Sequence, residues 1–156
     1  MGEIKVAKTG GNLIALGIGS CLVITFYDSK HRIGALAHTM LPARRMPFEA
    51  HDPKDERRDT LYASRDTRYA DIAIDEMLKK IVAQGAKKEF IVAKFIGGAN
   101  MFAAFTSKIG QDNISCAREK LKDVGVPIVG ECTGGSQGRS VEFSVASGIV
   151  TVKTKF

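Results

Sequence analysis

Tryptophan is absent from these 156 residues, and the aromatic share is only 7%. Rings on which nucleic-acid bases could stack are therefore scarce. A basic stripe is missing too. The net charge is +6, yet residues 44–69, RRMPFEAHDPKDERRDTLYASRDTRY, interleave seven Arg and Lys with six Asp and Glu. No nucleic-acid partner is expected, and a modest positive field of this kind suits acidic protein surfaces. No run approaches the roughly 20 apolar residues that span a bilayer, and MGEIKVAKTGGN lacks the apolar core of a secretion signal. Membrane insertion is not expected, and the cytoplasm is the expected compartment. Cysteines number three, Cys21, Cys116 and Cys132. An odd count at wide spacing is not a disulfide framework, and without a C-x-x-C or H-x-x-x-H pair it is not a zinc pattern.

What is present is ordinary for a globular chain, with 44% hydrophobic and 26% charged residues. The length suits one domain over residues 1–156, with no repeat and no linker. IKVA and LIAL read as short strands around the turn KTGGN. After the glycine turn GIGS, the β-branched run CLVITFY and then RIGALAH flank the polar connector DSKH, which reads as a β-hairpin. Leu41 to Arg68 holds three of the four prolines and reads as a long surface loop. Tyr69, Ile72, Ala73, Met77, Leu78, Ile81 and Val82 fall at helical spacing up to Gly85. FIVAKFIG is a buried strand running into the tight turn of Gly97, Gly98 and Asn100. A second amphipathic helix is expected over 113–124, with Asn113 as its cap and Ile109-Gly110 as the preceding turn. VPIVGE, SVEFSVA and GIVTVKT supply three more strands. The expected class is α+β, with layered β-sheets and flanking helices.

The hairpin has a chemical consequence. With its turn centred on Ser29–Lys30, Tyr27 faces Arg32 and Cys21 faces His38, with Cβ atoms about 5 Å apart, or about 7–8 Å after a diagonal slip. Alternation puts Leu22, Ile24 and Phe26 on one apolar face with Ala37, Ala35 and Ile33. Cys21 and His38 share the other face with Thr25 and Arg32. An imidazole that takes the thiol proton makes the cysteine a nucleophile toward amides, esters or thioesters. The preceding Gly19–Ser20 turn is placed to aim N–H groups at the developing oxyanion. By themselves, a buried cysteine and a lone histidine are more often structural than catalytic.

LGIGSCLVITFYD, IGALAHTMLP, RYADIAIDEML, AKFIGGANMF, IG-x-x-N and GGSQGR-x-V-x-F occur in that order from about Leu13 to Val152. Together they resemble the CheD family of chemoreceptor glutamine deamidases. G-S-C followed seventeen residues later by the histidine of A-H is the specific part of the match. The resemblance implies a fold similar to the cysteine-hydrolase domain of deamidating toxins. It also implies hydrolysis of receptor glutamine side chains to glutamate with release of ammonia. Cys21 matches the family nucleophile and His38 its general base, and no metal or organic cofactor is implied. Chemoreceptor cytoplasmic helices and a CheC-type phosphatase are the implied partners. Gly97, Gly98 and Asn100 border the implied site, and Arg139 and Ser140 are candidates for partner contact. Two positions depart from the family. The threonine six residues before the nucleophile, which orients the histidine, is here Ala15. Cys132 stands where an acidic residue is common before T-G-G. Ser20 and Thr25 are the candidates to replace the missing hydroxyl. The alternative that Ala15 raises is a catalytically weak or inactive regulator that binds receptors and the phosphatase.

Overall fold

The computed structural model describes residues 2–43, 66–101 and 108–154. The order is β1 (Ile4–Lys8), β2 (Asn12–Ile18), β3 (Leu22–Asp28), β4 (Ile33–Thr39), α1 (Ala70–Ala83), β5 (Ile91–Gly97), α2 (Ile109–Val124), β6 (Ile128–Thr133), β7 (Arg139–Ser144) and β8 (Val150–Thr154). Five strands form one sheet in the order β1-β4-β3-β5-β6, and three form a second in the order β2-β7-β8. All neighbours are antiparallel except β5 and β6, whose parallel pairing needs the crossover that α2 provides. The expected α+β layering is thus the observed one.

Why LVITFYD carries almost no polar alternation is explained by its place. Strand β3 is central in the larger sheet and covered on both faces. Leu22, Ile24 and Phe26, with Ala35, Ala37, Ala93 and Phe95, pack beneath the helices, against Ala73, Ile74, Met77 and Ile81 of α1 and Ala117 and Leu121 of α2. The opposite face of the sheet offers Val23, Leu36 and Ile96 to Leu13, Ala15, Ile18, Val141 and Phe143 of the smaller sheet. The two sheets approach so closely at Gly34 that a Cβ there would lie 2.8 Å from Phe143 and Val145. Tyr27 fills the neighbouring space edge-on to Phe143, ring centroids 5.6 Å apart, and its hydroxyl donates to the Val145 carbonyl at 2.9 Å.

Both helices depart from expectation, whereas IKVA and LIAL are strands as expected, in different sheets: β1 pairs with β4 and β2 with β7. Thr9 and Gly11, at φ 66 and 93, turn the chain from one layer to the other. In α1 the buried face is Ala70, Ala73, Ile74, Met77 and Ile81. Val82 is exposed because it lies one helical step beyond that stripe, and Tyr69 occupies the cap position. Helix α2 begins at Ile109, four residues before Asn113. Most of the expected long loop lies outside the described residues, although Leu41 and Tyr69 at its two ends are bridged.

A wholly buried carboxylate closes the end of β3 away from the glycine turn. Asp28 accepts from the His31 amide at 3.0 Å, the Lys87 amide at 2.9 Å and the His31 imidazole at 2.8 Å. Burial opposes its ionisation, but these amides and the imidazole outweigh it and hold the carboxyl below its ordinary range. Asp28→Asn is expected to cost about 1–3 kcal/mol at neutral pH in urea unfolding. Because the folded-state value is depressed, this contribution is present above the ordinary carboxylate range of about 3.9 and lost as pH falls through the folded value. The gap between wild type and variant therefore closes on acidification, and a gap independent of pH would contradict this account.

Candidate active site

The site lies at one end of the larger sheet, where β3 begins and β4 and β5 end. Cys21 immediately precedes Leu22, and His38 is the last residue but one of β4. The pairs are Leu22 with Thr39, Val23 with His38 and Asp28 with Ile33. Cys21 is therefore diagonal to His38 and not directly opposite. The cause is the turn, which spends four residues, Ser29 to Arg32, with Arg32 at φ 52. Every pair slides by two positions, so Tyr27 faces Gly34 and Arg32 leaves the sheet. An even slip preserves parity. Cys21 and Val23 still share a face with Leu36 and His38, but that face is the inner one between the sheets. Among the described residues no hydrogen bond joins the thiol to the imidazole, and diagonal neighbours about 7–8 Å apart remain within reach of long side chains.

Successive carbonyls of the Gly19–Cys21 turn are all captured. The Gly19 carbonyl accepts from the Ala99 amide at 2.9 Å and the Cys21 carbonyl from the Gly98 amide at 2.8 Å. The Ser20 carbonyl accepts from the Asn113 side chain at 3.0 Å. The amides of Gly19 and Ser20 donate to no backbone carbonyl of the described residues. One level further out, Gly134 donates to the Gly97 carbonyl at 2.9 Å and Asn100 to the Gly135 carbonyl at 2.8 Å. The expected border residues are thus brought to the site, Asn100 through its backbone while it is itself exposed. Arg139 braces the same periphery by donating to the Gly134 carbonyl at 2.8 Å.

Glycine is required for this approach. A Cβ on Gly97, which sits at φ 117, would lie 2.3 Å from the Cys21 carbonyl oxygen. One on Gly98 would meet Ile114 at 2.5 Å, and one on Gly110 would meet the Gly98 carbonyl at 2.7 Å. Exposed Met101 lies over the turn, 3.0 Å from where a Gly19 Cβ would be.

The two candidate catalytic side chains are half-buried in surroundings that favour their neutral forms. Burial pushes His38 below its ordinary value. It pushes the Cys21 thiol up, against the opposing effect of that residue's own amide. His38 borders a groove of about 290 Å³, with Ala15, Leu36, Ile14, Leu16, Glu3 and Lys5. Ala15 presents only a methyl group there, and the buried His38 Nε2 has no hydrogen-bond partner among the described residues. Thr25 lines a different groove, with Tyr27 and Lys94, and so does not replace the hydroxyl. Ser20 is engaged through its carbonyl. Cys132 packs against the core between the sheets. Among the described residues no three His, Cys, Asp or Glu side chains are grouped to hold a metal ion.

Asn113 does not cap the second helix as expected but has another role. It is wholly buried in α2, and its side chain donates to the carbonyls of both Ser20 and Met40. The signal was the spacing IG-x-x-N: a buried glycine followed one turn later by asparagine on the same side of a helix.

Comparison with known proteins places this geometry in context. Residues 40–154 match the family model described as CheD chemotactic sensory transduction, a match that starts after Cys21 and His38. Similarity to individual proteins runs over nearly the whole chain. A protein of Geobacter metallireducens named "Probable chemoreceptor glutamine deamidase CheD 2" is 40% identical over 155 residues, which is 97% of this chain and 88% of that protein. The "Chemoreceptor glutamine deamidase CheD" of Thermotoga maritima is 34% identical over 153 residues, 98% of this chain and 88% of its own. A similarly named protein of Methanococcus vannielii is 39% identical over 155 residues, covering 98% and 91%.

The close approach of the turns is open to direct test. Gly97→Ala is expected to lose more than about 2 kcal/mol of stability, because it combines a positive φ with a backbone clash. Gly10→Ala, at a position with nothing within 4 Å, is expected to stay within about 0.5 kcal/mol of wild type. Equal denaturation midpoints for the two variants would contradict the packing described.

Proposed function

The chain belongs to the CheD family, and we propose on that premise that it is a deamidase that hydrolyses glutamine side chains of chemoreceptors to glutamate. Cys21 is the nucleophile and His38 the general base. The observation that carries this reading is the projection of both side chains from adjacent strands onto one inner face, beside a groove that His38 borders. His38, favoured in its neutral form, takes the thiol proton as sulfur attacks the glutamine amide carbon. The unclaimed amides of Gly19 and Ser20 receive the oxyanion. His38 then returns the proton to the leaving nitrogen, ammonia departs and a γ-glutamyl thioester remains. Water attacks the thioester carbonyl carbon, His38 takes its proton, and glutamate and the free thiol are released. Every step is served by side chains and backbone of this chain, with no metal or organic cofactor. The receptor's cytoplasmic helices are the substrate and a CheC-type phosphatase is a partner, in the cytoplasm. The net charge of +6 favours acidic partner surfaces.

A second reading, that of a weak enzyme or a binding regulator, is favoured by one observation. Ala15 leaves His38 Nε2 without the hydrogen bond that would fix its tautomer.

Two measurements separate these. Incubating a receptor cytoplasmic fragment with wild type is expected to release ammonia and add roughly one mass unit per deamidated glutamine. Cys21→Ala and His38→Gln should abolish both, and persistence of either product with Cys21→Ala would sink the deamidase reading. With His38 lowered, the acidic limb of the kcat/KM profile should lie below the ordinary histidine value of about 6.5. Ala15→Thr restores a hydroxyl beside His38 and is expected to raise kcat about tenfold, the equivalent of one hydrogen bond. A wild type without activity that Ala15→Thr switches on would instead establish the regulator.

A further inference from the structure

We propose that Asn113 is a positioning residue for the Cys21–His38 pair, a side-chain cross-link that fixes the two segments carrying them at the point where the strand ladder stops. The inference rests on the assignment of that pair given above. The last pair of the β3–β4 ladder is Leu22 with Thr39. Beyond it, among the described residues no backbone hydrogen bond joins the turn before Cys21 to the chain after His38; the Met40 amide donates instead to the Arg68 carbonyl. Asn113 bridges this gap. Its Nδ2 donates to the Ser20 carbonyl at 3.0 Å and the Met40 carbonyl at 3.1 Å. Ser20 is the residue before Cys21, and Met40 is two beyond His38. One amide group therefore sets both backbones from a single point on α2.

Three features show that the arrangement is specified. Its orientation is forced, because a flipped amide would set Oδ1 against two carbonyl oxygens. The approach of α2 depends on Gly110, one turn earlier, where a Cβ would collide with the Gly98 carbonyl at 2.7 Å. And the position is costly. Asn113 is fully buried on the helix face that otherwise presents Ala117 and Leu121, and its Oδ1 has no partner among the described residues. An orphan buried acceptor costs about 1–3 kcal/mol. Leucine would suit that face but would leave the Ser20 and Met40 carbonyls without this donor, so what asparagine specifically supplies is one donor group held against both carbonyls. Holding them fixed matters at the reacting groups, where a displacement of about 1 Å can cost on the order of 100-fold in rate.

The test uses Asn113→Leu, which keeps the branched shape and the number of side-chain heavy atoms and suits the apolar helix face, in the full chain, with cooperative unfolding as the check on folding. Two readouts apply. Against the receptor fragment, kcat is expected to fall about 100-fold with KM within roughly threefold of wild type. In the absence of substrate, iodoacetamide alkylation is followed at each cysteine by peptide mass. Cys21 should react at least about tenfold faster, its pH midpoint moving down toward the ordinary thiol value as the turn opens to water. Cys116 and Cys132, which lie outside the cross-linked segments, serve as internal controls and should keep their rates. A folded variant with kcat within about threefold of wild type, or with all three thiols accelerated alike, overturns the proposal. If wild type and Cys21→Ala prove equally inactive, the deamidase assignment fails by itself, and the cross-link is then decided by the alkylation rates: a rise at Cys21 alone supports it and no rise overturns it.

Discussion

The hydrogen bond from the Gly98 amide to the Cys21 carbonyl holds the turn before β3 against the turn after β5, and the rest of the site follows from that contact. It forms only because Gly97 has no Cβ to drive the two backbones apart. With the turns in contact, Ala99 captures the Gly19 carbonyl, and the N-terminal turn of α2 settles over Gly98 through its own glycine, Gly110. The carbonyls of Gly19, Ser20 and Cys21 are then all engaged, which leaves the amides of Gly19 and Ser20 for the oxyanion in the reaction proposed above. Cys21, at the entrance of a central strand, inherits the rigidity of a double-sided core.

Electrostatics completes the reading. Half-burial disfavours both the thiolate and the imidazolium, and among the described residues no carboxylate is bonded to either residue. On the reading proposed above, the pair rests as thiol and neutral imidazole and the proton moves as sulfur attacks. In the proposed reaction its efficiency depends on how firmly His38 is oriented, so the methyl of Ala15 and the Nε2 that has no partner among the described residues bear directly on activity.

Much of this was legible in the residues, and each miss has a physical cause. The eight strands follow from β-branched runs between glycine turns, and parity alone put Cys21 and His38 on one face. The register slipped because DSKHR closes as a four-residue turn. Asp28 captures the His31 amide and Arg32 takes a left-handed φ, an arrangement that neighbouring residues do not announce. The assignment of β1 and β2 to separate sheets depends on pairing partners far along the chain, which local pattern does not carry. The start of α2 was misplaced because glycine at 110 reads locally as a turn, whereas here it is helical and small for the sake of the Gly98 carbonyl. Asn113 was read as a cap for the same reason: its partners, Ser20 and Met40, lie 93 and 73 residues away.

A covalent intermediate on Cys21 is the step that hydroxylamine interception puts to the test. Hydroxylamine attacks the carbonyl carbon of a γ-glutamyl thioester and expels the thiolate, converting the receptor glutamine to a hydroxamate about 16 mass units heavier. The account predicts that this product appears beside the glutamate product when receptor fragment, enzyme and hydroxylamine are combined, and that both vanish with Cys21→Ala. Glutamate formation with no hydroxamate, at any hydroxylamine concentration that leaves the enzyme folded, would contradict it.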